Sequence, residues 1–150
     1  IYNCQNSMTT KRSGFTLIEL LVVVAILGII AAIGISSYNG YVSGTKQKSV
    51  ENAMMQMSLG QTEYYSQNGY YYPQKTSNSC NPTSSTTSNI EKYLLGDGTS
   101  GPDVVPDEVG YNVCVWRSST GSFGITAKQI SGGSCKIDLS STGTYTRTGC

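Results

Sequence analysis

The side chain that most needs a chemical explanation is Glu19, the one ionisable residue between Phe15 and Ile35 in FTLIELLVVVAILGIIAAIGI. A charged side chain costs about 2.5–3.5 kcal/mol at the centre of a bilayer and less near an end. Glu19 stands in the first turn after the Gly14–Phe15 bond, close to an end. If that bond were cut, Phe15 would carry a new positive amine. Low dielectric strengthens a pair between such an amine and a carboxylate. Two readings of Glu19 follow: a tolerated interfacial acid, or a charge awaiting a partner.

Little else in the chain offers chemistry. There is no histidine, which removes the commonest general base and metal ligand and excludes catalytic triads and His-based zinc sites. Cysteines stand at 4, 80, 114, 135 and 150. None forms a CxxC pair, which argues against a zinc ribbon or a thioredoxin-like site. Spread through a Ser/Thr/Gly/Tyr-rich region, the last four suggest two disulfides and an oxidising compartment. Glu51, Glu63, Glu91, Asp97, Asp103, Asp107, Glu108 and Asp138 are scattered. The group Asp97/Asp103/Asp107/Glu108 has no calcium-loop spacing and reads as solvated charge. No enzyme, metal site or cofactor is expected. Net charge is +1 with Lys11 and Arg12 included, so charge alone does not indicate a nucleic-acid partner.

The element that must position Glu19 is a helix. At about 1.5 Å per residue, Phe15 to Ile35 spans about 31 Å, close to the hydrocarbon thickness of a membrane. A secretory signal has a small residue after its apolar segment; here Gly14 precedes it, so cleavage at Gly14–Phe15 leaves the whole helix on the product. Taking Met8 as the start gives a leader MTTKRSG, with residues 1–7, including Cys4, expected to be non-native.

Lys11-Arg12-Ser13-Gly14 followed by Phe15-Thr16-Leu17-Ile18-Glu19 resembles the processing site of type IV pilins and type II secretion pseudopilins. The likeness runs residue by residue from about Lys11 to Tyr41 and only in layout beyond. It implies that a membrane-embedded prepilin peptidase cuts between Gly14 and Phe15 and N-methylates Phe15. It also implies that Glu19 neutralises the amino terminus of a neighbouring subunit during assembly. Many members have a proline just past the apolar run. Here Ile35-Ser36-Ser37-Tyr38 has none, so any unwinding there would have to come from Gly28, Gly34 and Gly40.

Ala25, Gly28, Ala32 and Ser36 place small residues down one helical face, and with Gly34 they are the helix-packing candidates. Such a stripe lets helices approach closely; ordinary Ala/Gly content of a membrane helix is the alternative. Past the apolar run, Tyr38, Tyr41, Val42 and Thr45, then Val50, Ala53, Met54, Met57 and Tyr64, keep an amphipathic helical period to about Ser66. The methionines read as core filling. Asn68-Gly69 ends the helix. Tyr64, Tyr65 and Tyr70–Tyr72 read as packing under the helix end, and Tyr-Tyr-x-x-Asn-Gly-x-Tyr-x-Pro resembles that region in pilins related to the neisserial major pilin. Residues 76–89 have loop composition, with a short element at Ile90–Leu95.

Val109–Trp116, Phe123–Ala127, Cys135–Leu139 and Thr144–Arg147 read as strands with glycine turns between them. The fold class expected is α+β: a long N-terminal helix packed on a three- to four-stranded antiparallel sheet, pilin-like. The organisation expected is a leader 1–14, a hydrophobic helix 15–37, an amphipathic helix 38–66, a connection 67–107 and a sheet 108–150. Four cysteines allow three pairings, and free buried thiols are the alternative. Cys135–Cys150 is preferred because it would tie down the chain end as the C-terminal disulfide of type IV pilins does. Cys80–Cys114 would then pin the polar loop to the first strand, on the face away from the valines.

The function expected is a structural subunit that polymerises through its apolar helix into an extracellular type IV pilus, serving adhesion, twitching motility or DNA uptake. Its partners would be copies of itself in a helical filament, the prepilin peptidase, the assembly machinery and, before assembly, the inner membrane. The alternatives are a type II secretion pseudopilin and a ligand- or DNA-binding minor pilin. The last needs Lys75, Lys92, Arg117, Lys128, Lys136 and Arg147 gathered into one stripe.

Overall fold

A computed structural model describes residues 14–73 and 76–150. Helix α1 spans Leu17–Asn68. Its start is set by Thr16 and Glu19, and no proline interrupts the apolar or the amphipathic half. Gly28, Gly34, Ser36 and Gly40 all lie within it. At its end Gly69 adopts φ 76° and returns its N–H to the Tyr65 carbonyl (2.8 Å). That is a left-handed cap, which glycine adopts without a Cβ penalty.

The chain divides into two compact units, one ending at Tyr41 and the other running Val42–Cys150. In the first, every described residue from Gly14 to Tyr41 is exposed in the isolated chain. This helix is long and apolar enough to cross a membrane.

In the second unit, a four-stranded antiparallel sheet runs in the order β1 (Tyr111–Arg117), β2 (Phe123–Gln129), β3 (Lys136–Ser140), β4 (Tyr145–Thr148). Val113 pairs with Ala127, Ala127 with Ile137, and Ile137 with Arg147. Alternation puts Tyr111, Val113, Val115, Phe123, Ile125, Ala127, Ile137 and Leu139 on one face. They share a core with Val50, Ala53, Met54 and Met57 of α1. The fold is the α+β arrangement of a long helix packed on an antiparallel sheet. On the other face the Trp116 ring lies directly over Gly124, where a Cβ would overlap the indole.

The connection differs from its expected loop character. Ser84–Tyr93 forms a second helix, α2. Thr83 and Thr86 make a reciprocal capping box at its start, and Thr87 and Ile90 are buried. Tertiary contact here overrides the weak helix propensity of Ser and Thr. The first strand also begins later than expected, because Asp107–Val109 forms a 3-10 turn.

Candidate assembly site

Gly14 and Phe15 lie in exposed, non-helical chain immediately before α1, with Phe15 81% exposed. Lys11, Arg12 and Ser13 of the expected leader lie outside the described residues, as do Cys4 and Lys75. Thr16 donates its backbone N–H (2.9 Å) and its hydroxyl (2.5 Å) to Glu19 Oε2, and Glu19 N–H donates to Thr16 Oγ1 (3.3 Å). This is a capping box: the first turn of a helix has unpaired N–H groups, and Thr-x-x-Glu satisfies two of them reciprocally. Thr16 is a residue the sequence reading passed over, although the Thr-x-x-Glu spacing is visible in it. The carboxylate also faces the positive end of the helix dipole. A Phe15 amine would sit at that same end, where a cation is disfavoured unless an anion accompanies it. Farther along, Ala25, Gly28, Ala32 and Gly34 are exposed, with open space beside both glycines.

The second unit holds two polar clusters that sequence reasoning missed. In the sequence Glu51 is one of the scattered acids. Its side chain is only 9% exposed, and it accepts from Arg147 Nε (Oε1, 2.6 Å) and Lys48 Nζ (Oε2, 3.0 Å). The Tyr145 hydroxyl donates to the Glu51 backbone carbonyl (2.9 Å). Burial pushes the Glu51 carboxyl up, but the bonds and charges of Lys48 and Arg147 outweigh it and hold it below its ordinary range. Gln61, fully buried, donates Nε2 to the Tyr72 carbonyl (2.6 Å) and accepts the Tyr72 N–H (2.9 Å). It fixes the tyrosine-rich turn, where Tyr64 packs edge-on against Tyr70 and Tyr72, and Tyr71 packs on Phe123.

The structure joins Cys80 to Cys114 and Cys135 to Cys150. Asp97 Oδ1 caps its own loop, accepting from the Thr99 hydroxyl and from the Thr99 and Ser100 amides. Those bonds, the Thr99 hydroxyl foremost, hold its carboxyl down to about 2. Among the described residues no group of three or more His, Cys, Asp or Glu side chains could hold a metal. The basic residues have different neighbours: Lys92 over Tyr93, Arg117 over Tyr70, Lys136 on Asp138 and Arg147 on Glu51. Lys128 stands opposite Lys136 in the sheet register.

Residues 9–35, which contain the Gly14–Phe15 bond and Glu19, match the family described as the prokaryotic N-terminal methylation motif. The chain carries a prokaryotic N-terminal methylation motif. It is 40% identical over 74 residues to the type IV major pilin protein PilE of Neisseria gonorrhoeae, covering 47% of this chain and 42% of that one. It is equally identical over the same length to a fimbrial protein of Neisseria meningitidis serogroup A, covering 41% of it. It is 54% identical over 39 residues to the type IV major fimbrial protein FimA of Dichelobacter nodosus, covering 26% of this chain and 24% of that one. The chain thus spans about two fifths of the length of the neisserial relatives it matches. These relatives are pilins and fimbrial proteins, a structural family and not one of enzymes. No solved structure matches the chain.

Proposed function

We propose that the chain is a structural subunit of a type IV pilus, held in the inner membrane by α1 before assembly and polymerised through the same helix into an extracellular filament. The observation that carries this reading is the uncovered apolar half of α1, which follows an exposed Gly14–Phe15 bond inside the methylation motif and carries Glu19 in its first turn. An apolar surface of that size needs either lipid or other helices around it. In the proposed sequence a prepilin peptidase cuts between Gly14 and Phe15, and Phe15 is N-methylated. As subunits enter the fibre, Glu19 pairs with the Phe15 amine of a neighbour. Ala25, Gly28, Ala32 and Gly34 then allow close helix contact in the fibre core. The relatives' names, major pilins and fimbrial proteins, support a pilin over a secretion pseudopilin. Adhesion, twitching motility and DNA uptake are the roles such a fibre would serve.

Two variants test the scheme. Glu19→Val should leave membrane insertion intact while fibres seen by electron microscopy of the cell surface fall to a small fraction of normal; normal fibres would remove the charge-pairing role. Gly14→Ser should leave the leader attached, read as an intact-mass shift, and no fibres should form. Unprocessed subunits found within fibres would contradict cleavage before assembly.

A further inference from the structure

The last strand is attached differently from the other three. β1, β2 and β3 each send residues into the buried core, whereas β4 adds only the partly buried Tyr145 at its margin, and Thr146, Arg147 and Thr148 are exposed. β4 is a four-residue edge strand paired to β3 alone. Apolar burial therefore does little to hold it, and elements of that kind open locally at low free energy. Two other attachments remain. One is covalent, Cys150 to Cys135 just before β3. The other is polar: Arg147 and Tyr145 reach across to Glu51 of α1, on its side chain and its carbonyl respectively.

We propose that β4 is a releasable edge strand held by two locks in parallel, the Cys135–Cys150 bond and the Glu51 clamp, so that it detaches only when both are open. The locks respond to different chemistry. A dithiol opens the first: one thiolate attacks a sulfur of the bond, the second thiol displaces the mixed disulfide, and two protein thiols and a cyclic disulfide result. A proton acts on the second at the carboxylate that Arg147 and Lys48 share; the Tyr145 bond to the Glu51 carbonyl is a single neutral hydrogen bond that does not hold the strand alone. The groups facing Glu51 are Lys48 on its own helix, Arg147 and Tyr145 on β4, and Tyr111 on β1. Protonation leaves Lys48 and Arg147 as two cations around a neutral acid, and the bonds that were charge-assisted at both ends become weaker. The Glu51 carboxyl sits below its usual 4.5, so the clamp holds above that value and is lost as pH falls through the depressed one. Release would uncover the outer edge of β3, whose Ile137 and Leu139 are fully buried in the closed form. An unpaired edge of that kind is a template for pairing with another chain, which is what a double lock guards against.

The test is amide hydrogen exchange on the full chain in detergent micelles, with rates expressed relative to the unstructured rate at each pH. Peptides covering β4 report the latch, and peptides covering β2 report the unit as a whole. The disulfides are reduced with a trialkylphosphine, which takes up oxygen from water while the two hydrogens go to the thiols. A Cys80→Ser/Cys114→Ser background confines reduction to Cys135–Cys150. Oxidised protein should protect β4 at about pH 7 and throughout a titration down to about pH 2. Reduced protein should protect β4 at about pH 7 and, in a titration carried from about pH 5 down to about pH 2, lose roughly tenfold or more of that protection as Glu51 takes up its proton, with β2 unchanged. Reduced Glu51→Gln should lose it already at about pH 7, whereas oxidised Glu51→Gln should keep it. Arg147→Gln breaks the same clamp from its exposed side and gives the same readout should Glu51→Gln fail to fold. The proposal is overturned if breaking the clamp leaves β4 of the reduced protein as protected as before. It is equally overturned if β4 and β2 always lose protection together, since β4 would then have no opening of its own.

Discussion

Glu19 and Gln61 show how one side chain can substitute for missing backbone partners. Glu19 closes a capping box with Thr16 at the start of α1, which places its carboxylate beside the bond whose cleavage would create an amine. Gln61 does the corresponding work inside the second unit, where its amide pairs with both the N–H and the carbonyl of Tyr72. Gln61→Met conserves the shape and burial but leaves both Tyr72 groups unpaired. The expected cost is about 2–4 kcal/mol, because a buried polar group left without a partner loses its full desolvation energy. Denaturant unfolding followed by tyrosine fluorescence measures it; a cost below about 0.5 kcal/mol would show that water replaces the amide.

At the scale of elements, the junction of α2 with β1 carries the most information. β1 is an edge strand, and its outward backbone groups would be open to another chain. The Val113 N–H donates to Thr87 Oγ1 (2.9 Å), and the Thr86 hydroxyl donates to the Val113 carbonyl (2.6 Å). Ser77 N–H continues this cover on the Arg117 carbonyl (2.9 Å). A threonine-rich helix therefore shields an edge that no strand pairs. Thr87→Val keeps the volume, removes the acceptor for Val113 N–H, and should cost about 1–3 kcal/mol. Faster amide exchange at Val113, with exchange in β3 unchanged, would place the loss at this edge.

Across the whole molecule, one unit is an uncovered apolar helix, and the other is closed by a core and two disulfides. Cys80–Cys114 spans a sequence separation of 34 and Cys135–Cys150 one of 15. In the chain-entropy account the longer loop stabilises by about 3.8 kcal/mol and the shorter by about 3 kcal/mol. Cys80→Ser/Cys114→Ser should therefore lower the unfolding midpoint more than Cys135→Ser/Cys150→Ser. The reverse order in matched denaturant titrations would show that native contacts, and not loop length, decide it.

What contiguous residues encode could be read directly. Lys11-Arg12, Gly14–Phe15 and Glu19 form one local pattern. The apolar run sets its own length, the Val50–Met57 stripe sets its own period, and the alternation in β1 and β2 sets their inward faces. The helix Ser84–Tyr93 was not legible, because Ser and Thr compete with the backbone for hydrogen bonds and favour loops unless a strand edge is there to receive them. The Glu51 clamp was not legible either, since its partner Arg147 lies 96 residues away. No spacing rule connects two such residues. They meet because sheet register places Arg147 in the same row as Ile137, Ala127 and Val113, the face that α1 covers. By itself the sequence determined the long helix, the strands and the methylation motif, since those depend on neighbours along the chain. Only the tertiary structure decided which buried charge meets which cation, since that depends on how the sheet is aligned beneath the helix.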